Sequence, residues 1–427
     1  MRNMSTTSRS ESPARLRVLI AGGGVAGLET LLALRAFAGD RVDITILAPE
    51  LKFINRSMSV DQPFKPKRGR GMRLRDTAVE LDAHWHQGTL DRVEHTRRRV
   101  VTKAGDELPY DRLVLALGAH PEREWQADHV LTYHGGRDGP SYRLLLHQLS
   151  QGRVKKLAFV KPAGASWPLP LYDLALMTAA HCAAHGRSEV ELILVTPEEE
   201  PLGIFGGTVS VAIRRLLEQS GVALYSSSYG MPRPPDLLEV SPGDRRMRVD
   251  RVITEPRLAG PRLRGLACDH DGFISTDPHG RVSGLDGVFA AGDATSFPVK
   301  QGALATQQGD AVAEVIAASV GVKIDPKPFH PVLRGVLLTG GHARYLRADI
   351  SGGAGDDSTI SEQALWWPPD KIAGRYLAPY LSSQVGDAAD VIPQGEYAIP
   401  IETTLKPPTL GGPAILDELK DLEPRGR

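Results

Sequence analysis

The sequence is poor in cysteine and has no excess of charge of either sign. Among 427 residues there are 2 cysteines, Cys182 and Cys268. That number excludes a disulfide framework, a CxxC redox pair and a zinc site built from cysteines. Lysine plus arginine and aspartate plus glutamate each number 51. The net charge therefore gives no reason to expect nucleic acid or an anionic membrane as a partner.

Long apolar runs are also missing. No stretch approaches the ~20 apolar residues of a transmembrane helix, so we expect at most peripheral contact with a membrane. The first 14 residues are polar and lack the apolar centre of a secretory signal, which predicts a disordered tail and, with the few cysteines, a cytoplasmic protein. A hydrophobic content of 41% is that of a globular protein with two or three domains.

The most informative stretch is residues 16–50, LRVLIAGGGVAGLETLLALRAFAGDRVDITILAPE. A branched apolar run predicts a buried strand and leads into Gly22, Gly24 and Gly27, at G-x-G-x-x-G spacing. The first glycine of such a loop permits a tight turn, the second lets the backbone approach a pyrophosphate, and the third lets the helix pack closely. Glu50 follows about 20 residues later, where an acid accepts hydrogen bonds from a ribose. The stretch therefore predicts a dinucleotide site.

Two later stretches add to this site. The apolar strand predicted at residues 113–117 ends at Gly118, where a small residue lets the chain turn close to a cofactor at the carboxyl edge of a sheet. A second short strand, residues 288–291, ends at Gly292 and Asp293, and a helix is predicted at residues 302–319. Asp293 is placed to accept hydrogen bonds from a polyol, and the helix N-terminus faces an electron-rich ring edge.

In their order and separation, these three stretches resemble the FAD-binding motifs of the FAD-dependent pyridine nucleotide-disulfide oxidoreductase superfamily. Within it, the chain looks most like the branch of type II NADH dehydrogenases, sulfide:quinone reductases and flavocytochrome c sulfide dehydrogenases. The resemblance covers about residues 15–400. It implies an α/β fold with two doubly wound, Rossmann-like dinucleotide-binding domains, the second inserted in the first, plus a small α+β C-terminal domain.

The resemblance also implies domain boundaries. A tail at residues 1–14 precedes an FAD-binding domain at 15–121 and 255–328. A second, NAD(P)-binding-like domain fills 122–254, an α+β interface domain spans 329–404, and a tail occupies 405–427. Alternating strand and helix patterns between residues 155 and 254 independently favour a second doubly wound sheet. In the C-terminal region we expect a hairpin turning at residues 339–341 and a helix from Lys371 to at least Leu377.

By position, the resemblance assigns the ADP half of FAD to the glycine loop and Glu50, the ribityl chain to Asp293, and the pyrimidine edge of the flavin to residues 300–303. The full predicted cofactor-binding set is Gly22, Gly24, Val25, Ala26, Gly27, Glu50, Arg56, Gly118, Gly292, Asp293, Gln301, Gly302 and Ala303. Lys300 is the candidate catalytic residue, because a cation there would stabilise an anionic reduced flavin; a plain surface lysine is the alternative. No metal site is predicted, since His84 and His86 lack further ligands nearby.

The second dinucleotide unit departs from the pattern. After the strand predicted at residues 155–160, the loop KPAGASWPLP has one glycine and three prolines, which disfavours approach to a second pyrophosphate. Glu198 and Glu199 end the next strand, either as ribose-binding acids or as surface charges. In the helix predicted at 302–319, Ala305, Gln307, Gln308 and Gly309 match part of a pattern, A-Q-x-A-x-Q-Q-G, that resembles the quinone-site helix of type II NADH dehydrogenases.

The resemblance implies an oxidoreductase that passes electrons from a small donor, foremost NAD(P)H, through FAD to a quinone or another small acceptor, and it allows a homodimer. One alternative is a flavoprotein sensor or scaffold with little turnover, resembling apoptosis-inducing factor. The other is a sulfide dehydrogenase, which the cysteines disfavour: Cys182 lies in an apolar helical pattern typical of a buried thiol, and Cys268 alone cannot form an internal disulfide.

Overall fold

The computed structural model describes residues 15–65, 71–164, 167–350 and 358–385. The helices are α1 (Val25–Ala38), α2 (Leu74–Glu80), α3 (Gly139–Ser150), α4 (Leu169–Ala184), α5 (Gly207–Gln219), α6 (Gly302–Ser319) and α7 (Leu377–Val385). Short 3-10 helices span Gly39–Arg41, Arg56–Asp61, His95–Arg97, Gly203–Phe205 and Gly292–Ala294. No helix in the described segments is long and apolar enough to cross a membrane.

The strands are β1 (Leu16–Ala21), β2 (Val42–Ala48), β3 (Lys52–Phe53), β4 (Met72–Arg73), β5 (His84–Gln87), β6 (Leu90–Glu94), β7 (Arg99–Thr102), β8 (Glu107–Pro109), β9 (Arg112–Leu115), β10 (His120–Glu122), β11 (Val130–Thr132), β12 (Lys156–Val160), β13 (Glu191–Val195), β14 (Val222–Tyr225), β15 (Tyr229–Arg233), β16 (Leu237–Ser241), β17 (Arg245–Arg248), β18 (Arg251–Thr254), β19 (Arg257–Ala259), β20 (Val288–Ala290), β21 (Val332–Leu337), β22 (Arg344–Asp349) and β23 (Thr359–Ser361).

The first sheet has five parallel strands in the order β20-β9-β1-β2-β5. Alternate residues of β1 enter two cores, as the two-residue period of a strand requires. Val18 and Ile20 pack against α1 and α6, whereas Leu19 and Ala21 pack against the antiparallel layer β6–β8. Both faces are therefore covered, which explains why the central strands read as continuous apolar runs.

The second sheet, β11-β18-β12-β13-β14, is also parallel and lies within residues 130–254 of the chain. Leu157 and Phe159 of β12 face α3, α4 and α5, and Ala158 and Val160 face the antiparallel layer β15–β17. Because β20 returns to the first sheet after this segment, the second unit is inserted in the first. The predicted fold class is confirmed, while the exact domain boundaries stay a prediction.

The C-terminal part holds one correct and one wrong prediction. The hairpin forms as β21 and β22, with its turn at residues 338–343. The helix predicted from Lys371 is wrong, because residues 371–376 are not helical and α7 begins at Leu377. Proline is tolerated in a first helical turn, so Pro379 lies inside α7 instead of ending a helix before it. The predicted tails, and all of residues 386–404, lie outside the described residues.

Candidate functional site

The glycine loop, residues 22–27, joins β1 to α1 at the carboxyl edge of the first sheet. Gly22 has φ +122°, and a Cβ there would lie 2.1 Å from the carbonyl oxygen of Ala116. A Cβ on Gly27 would lie 2.0 Å from the carbonyl oxygen of Gly22. Packing within the protein therefore demands both glycines, one for a tight turn and the other for the contact between helix and loop.

Gly24 differs from its two neighbours in the motif. Its φ is −87°, which any residue can adopt, and a Cβ there would meet nothing within 4 Å. Gly24 is also the N-cap of α1, and no side chain among the described residues caps that helix. The first N–H groups of α1, in the turn that contains Val25 and Ala26, therefore have no side-chain cap in the described part of the chain and lie beside this open space, at the positive end of the helix dipole. This arrangement fits a pyrophosphate.

The other glycines converge on the same edge. Gly118, with φ +71°, follows β9, and a Cβ there would meet nothing within 4 Å. Gly292, with φ +77°, follows β20, and its Cβ would lie 3.0 Å from that of Ala26. Because β20, β9 and β1 are neighbours in the sheet, the structure brings the three predicted cofactor stretches together. Glu50, two residues after β2, lies at the same edge and is exposed.

Gln308 fixes the turn that carries Asp293, a role that the sequence analysis did not assign. Its Oε1 accepts a hydrogen bond from the Gly292 N–H at 2.7 Å, and its Nε2 donates to Thr295 Oγ1 at 3.4 Å. The only sequence indication was its place in the partial quinone pattern. Gln307 is likewise used inside the protein, where it bonds the backbone N–H and C=O of Val332. Both glutamine side chains are thus hydrogen-bonded within the protein.

Two basic residues act electrostatically on Asp293. Burial raises the pKa of the Asp293 carboxyl, whereas the charges of Lys300 and Arg56 lower it. Arg56, at the start of a 3-10 helix, is exposed, and its charge also helps burial to lower the pKa of His134. The Asp293 carboxylate, just after β20, is thus half-buried and lies within the electrostatic reach of both basic residues.

Lys300 is buried, with 5% of its surface exposed. Burial lowers its pKa to about 8, opposed by the charges of Asp293 and Asp269. Its Nζ donates a hydrogen bond to the carbonyl oxygen of Thr295 and lies 3.7 Å from the centroid of the Phe273 ring. The ammonium group is thus held beneath the 292–295 turn, and the alternative of a plain surface lysine is wrong.

The first turn of α6 carries the remaining predicted residues. Gln301 is its N-cap and is buried, and its Nε2 donates to the carbonyl oxygen of Arg334. Its Oε1 has no hydrogen-bond partner among the described residues. A buried orphan acceptor fits a ligand that brings an N–H donor. Gly302 lies against Ile372, whose Cγ1 would be 3.5 Å from a Cβ there, and Ala303 packs with Trp366.

The corresponding edge of the second sheet is lined by charged residues instead of glycines. Lys161 follows β12, Glu198 lies beyond β13, Glu255 follows β18, and all three are buried or half-buried. Asp173, on α4, is fully buried and forms an ion pair with Lys371. We call these five residues, Lys161, Asp173, Glu198, Glu255 and Lys371, the second-edge cluster.

The cysteines, and the two histidines considered as metal ligands, lie outside the predicted cofactor stretches of the sequence. Cys182 is 4% exposed, and burial raises the pKa of its thiol to about 11. Both cysteines are free. His84 faces Asp43 and His86 faces Asp106, at 3.3 and 3.1 Å. The part of the chain that the structure describes holds no group of three or more possible metal ligands.

Two parallel sheets, one ending in a glycine loop at an uncapped helix, define an α/β dinucleotide-binding protein. The chain belongs to the pyridine nucleotide-disulphide oxidoreductase family, whose model matches residues 16–309. It is an FAD-dependent oxidoreductase. The predicted superfamily and enzyme class are thereby confirmed, and the individual cofactor-binding residues stay predictions.

Three known proteins illustrate the likeness. The ferredoxin reductase component of chlorobenzene dioxygenase from Cupriavidus sp. (strain PS12) is 26% identical over 363 residues, which are 78% of this chain and 81% of that protein. Mouse (Mus musculus) apoptosis-inducing factor 3 is 28% identical over 66% of this chain, and the match spans about half, 46%, of that protein. The solved structure of sulfide:quinone oxidoreductase from Aquifex aeolicus shares the fold, with a TM-score of 0.74 over 90% of this chain and 100% of that one, at 16% identity.

Proposed function

We propose that FAD lies across the carboxyl edge of the first sheet and passes electrons from a small donor to a quinone or another small acceptor. The observation that carries the cofactor assignment is the open space at Gly24 in front of the uncapped α1. When bound, FAD supplies the hydride and electron chemistry, and the protein supplies binding, orientation and electrostatics.

The residues at this edge divide that work. The first N–H groups of α1 bind the pyrophosphate, Glu50 accepts hydrogen bonds from the ribose, and Asp293 accepts them from the ribityl chain. The orphan Oε1 of Gln301 accepts a hydrogen bond from the pyrimidine part of the flavin. Lys300 stabilises the 292–295 turn through its hydrogen bond to Thr295, and it contributes a positive charge at pH values lower than its pKa of about 8. These roles are proposals for the whole predicted set.

NAD(P)H is the donor that the sequence resemblance favours. The parallel second sheet has the topology of a dinucleotide-binding unit, and a relative that matches 78% of this chain is named a ferredoxin reductase. A quinone or another small acceptor rests on the resemblance alone, because Gln307 and Gln308 are bonded within the protein. A homodimer and a cytoplasmic location stay predictions in the same sense.

A second candidate is a flavoprotein sensor or scaffold with little turnover. The observation that favours it is the second-edge cluster, which lies where a nicotinamide dinucleotide would enter. The sulfide dehydrogenase alternative is opposed by the buried Cys182, because a thiol with a raised pKa is a poor nucleophile.

An anaerobic titration tests these proposals. The purified protein is mixed with NADH or NADPH while the absorbance of oxidised flavin is followed, and dithionite serves as the control reductant. Stoichiometric bleaching by a nicotinamide, followed by reoxidation with a soluble quinone, supports the complete proposal. Bleaching by dithionite alone removes NAD(P)H as the donor. A purified chain that neither contains nor takes up FAD contradicts the proposal as a whole.

A further inference from the structure

The second sheet repeats the strand–helix–strand unit of the first, but its helix begins differently. The N-cap of α4 is Pro168, and Pro170 lies in its first turn. Proline has no N–H, so two donors that would face a phosphate are missing from this helix start. Leu171 N–H is directed to the carbonyl oxygen of Pro168 at 3.2 Å. The backbone donors that define a pyrophosphate site are therefore reduced at α4.

A carboxyl group of the protein itself lies at this helix start. Glu255 is 7% exposed, and one of its carboxyl oxygens has no partner among the described residues. Burial raises its pKa to about 8, and the charge of Lys161 and the N–H of Leu171 act in the opposite direction. Glu255 thus stands at the N-terminus of α4, where the first sheet leaves room for a phosphate.

Glu198, one of the two predicted ribose-binding acids, is hydrogen-bonded within the protein. Oε2 of Glu198 accepts hydrogen bonds from the Tyr172 hydroxyl at 2.7 Å and from Thr196 Oγ1 at 2.8 Å. Burial raises the pKa of this carboxyl, and Lys161 lowers it. The charge of Lys161 therefore already acts on two carboxyls of the protein, Glu198 and Glu255. Glu199, the other predicted acid, lies four residues beyond β13 and is exposed.

The ion pair between Asp173 and Lys371 links the edge of the second sheet to the C-terminal region. Asp173 Oδ1 accepts a hydrogen bond from the Leu338 N–H at 2.7 Å, and its Oδ2 accepts from Lys371. The residue after Lys371 is Ile372, which lies against Gly302 in the first turn of α6. The cluster therefore connects the second sheet to the predicted flavin end of the first.

We infer that the second-edge cluster is an internal brace that holds Lys371 and Ile372 against the start of α6, and that it admits no nicotinamide dinucleotide. The electron donor is then a molecule without a pyrophosphate. This inference rests on the proposed function as an FAD-dependent oxidoreductase. It keeps that reaction but excludes NAD(P)H as the electron donor.

The first test is equilibrium binding to the FAD-loaded protein. NADH and NADPH are titrated by calorimetry, and flavin absorbance is followed anaerobically in parallel. We expect no saturable binding and no bleaching up to about 1 mM, the upper end of ordinary Michaelis constants, while dithionite bleaches the flavin. Saturation by either nucleotide at micromolar concentration overturns the inference but leaves the oxidoreductase intact. Failure to retain FAD contradicts the proposed function instead.

The second test concerns the brace. We compare Lys371→Met with Lys327→Met, whose side chain is 69% exposed beside Asp325. Lys371→Met is expected to change the visible circular dichroism of FAD-saturated protein and to weaken FAD binding about tenfold, and Lys327→Met to change neither. Lys371→Arg retains the charge and is expected to restore the wild-type spectrum if the methionine variant does not fold. An unchanged flavin spectrum in Lys371→Met overturns the brace.

Discussion

The two parallel sheets are built on the same plan but end differently. In each, a helix follows a central strand and carries a fully buried carboxylate at its fifth position, Glu29 in α1 and Asp173 in α4. Both carboxylates accept backbone N–H groups from the C-terminal region, Glu29 from Tyr376 and Leu377 and Asp173 from Leu338. What differs is the helix start: α1 leaves its donors open, and α4 has prolines and Glu255.

This difference shows that topology alone does not define a dinucleotide site. Both sheets are five-stranded and parallel, and both place loops at the carboxyl edge, where ligands bind in open α/β sheets. A phosphate also needs free backbone N–H groups and room for close approach. Only the first sheet provides these among the described residues. Substitutions at the two edges should therefore have different effects on FAD binding and on stability.

Replacement of Gly24 by valine is expected to abolish FAD binding without disturbing the fold. A Cβ at this position would meet no atom of the described residues within 4 Å, so we expect the valine to fill space that the pyrophosphate needs. We expect the FAD dissociation constant of Gly24→Val to rise at least about tenfold, equivalent to roughly 1.4 kcal/mol or more, and the purified variant to contain little FAD, as measured from flavin absorbance per protein. Gly207→Val at the start of α5, where space is equally open, is the control. Equal FAD content in both variants would remove Gly24 from the site.

Loss of the second buried carboxylate is expected to cost more stability than loss of the first. Asp173→Asn removes the ion-pair partner of the buried Lys371, at about 3–5 kcal/mol. Glu29→Gln keeps one acceptor oxygen for the N–H groups of Tyr376 and Leu377, so its cost is nearer 1–3 kcal/mol. Burial already raises the pKa of Glu29 to about 7, and that of the neighbouring Asp310 well above its usual range. Urea unfolding of both variants at pH 7.5 measures the difference, and the reverse order would contradict the brace.

Glu255 is expected to make stability depend on pH. Its folded pKa of about 8 lies above the ordinary 4.5, so between these values the unfolded chain has lost a proton that the folded chain retains. Stability therefore falls as pH rises from 4.5 to 8, and the loss is complete above 8. Glu255→Gln cannot ionise, and its melting temperature should exceed that of the wild type by about 2–4 °C at pH 8 and by less at pH 5. Glu199→Gln, on the exposed neighbouring acid, should show no such trend.

Lys300→Met is expected to have the smallest effect. The ammonium group is held by Thr295 and Phe273, so its field at the flavin is partly compensated. We expect the midpoint potential of FAD to fall by less than about 30 mV, or roughly 1.4 kcal/mol for two electrons, because a cation that favours the anionic reduced flavin is removed. The shift should vanish above pH 8, where Lys300 is neutral. Spectroelectrochemistry at pH 6.5 and 9 measures this potential shift. A zero shift at pH 6.5 would contradict the proposed electrostatic role of Lys300.

The sequence predicted the first unit almost completely because its constraints are local. The glycines, the apolar strand and the following helix all act within residues 16–50, and the strand has the predicted bounds, Leu16–Ala21. The helix at Gly302–Ser319 was also predicted to the residue. Local steric demands of this kind leave a direct trace in residue type and spacing.

The parts that escaped prediction depend on partners far along the chain. Gln308 supports Gly292, 16 residues away, and Asp173 pairs with Lys371, 198 residues away. The start of α7 was placed wrongly because its first N–H groups bind Glu29 of another helix, not a side chain of their own segment. No local sequence pattern predicts hydrogen bonds or ion pairs between such distant residues. A buried lysine cannot be distinguished from an exposed one by its residue type.

The bond between Glu29 and the start of α7 has a consequence for synthesis of the protein. Its partners are separated by 347 and 348 residues, and domains generally fold from the N-terminus while the chain is still growing. The first glycine loop therefore emerges early, but the carboxylate of Glu29 lacks its final donors until residues 376 and 377 have left the ribosome. A nascent chain that stops before residue 376 should bind FAD more weakly than one that includes these two residues, so tight binding of the cofactor depends on late synthesis of the C-terminal region.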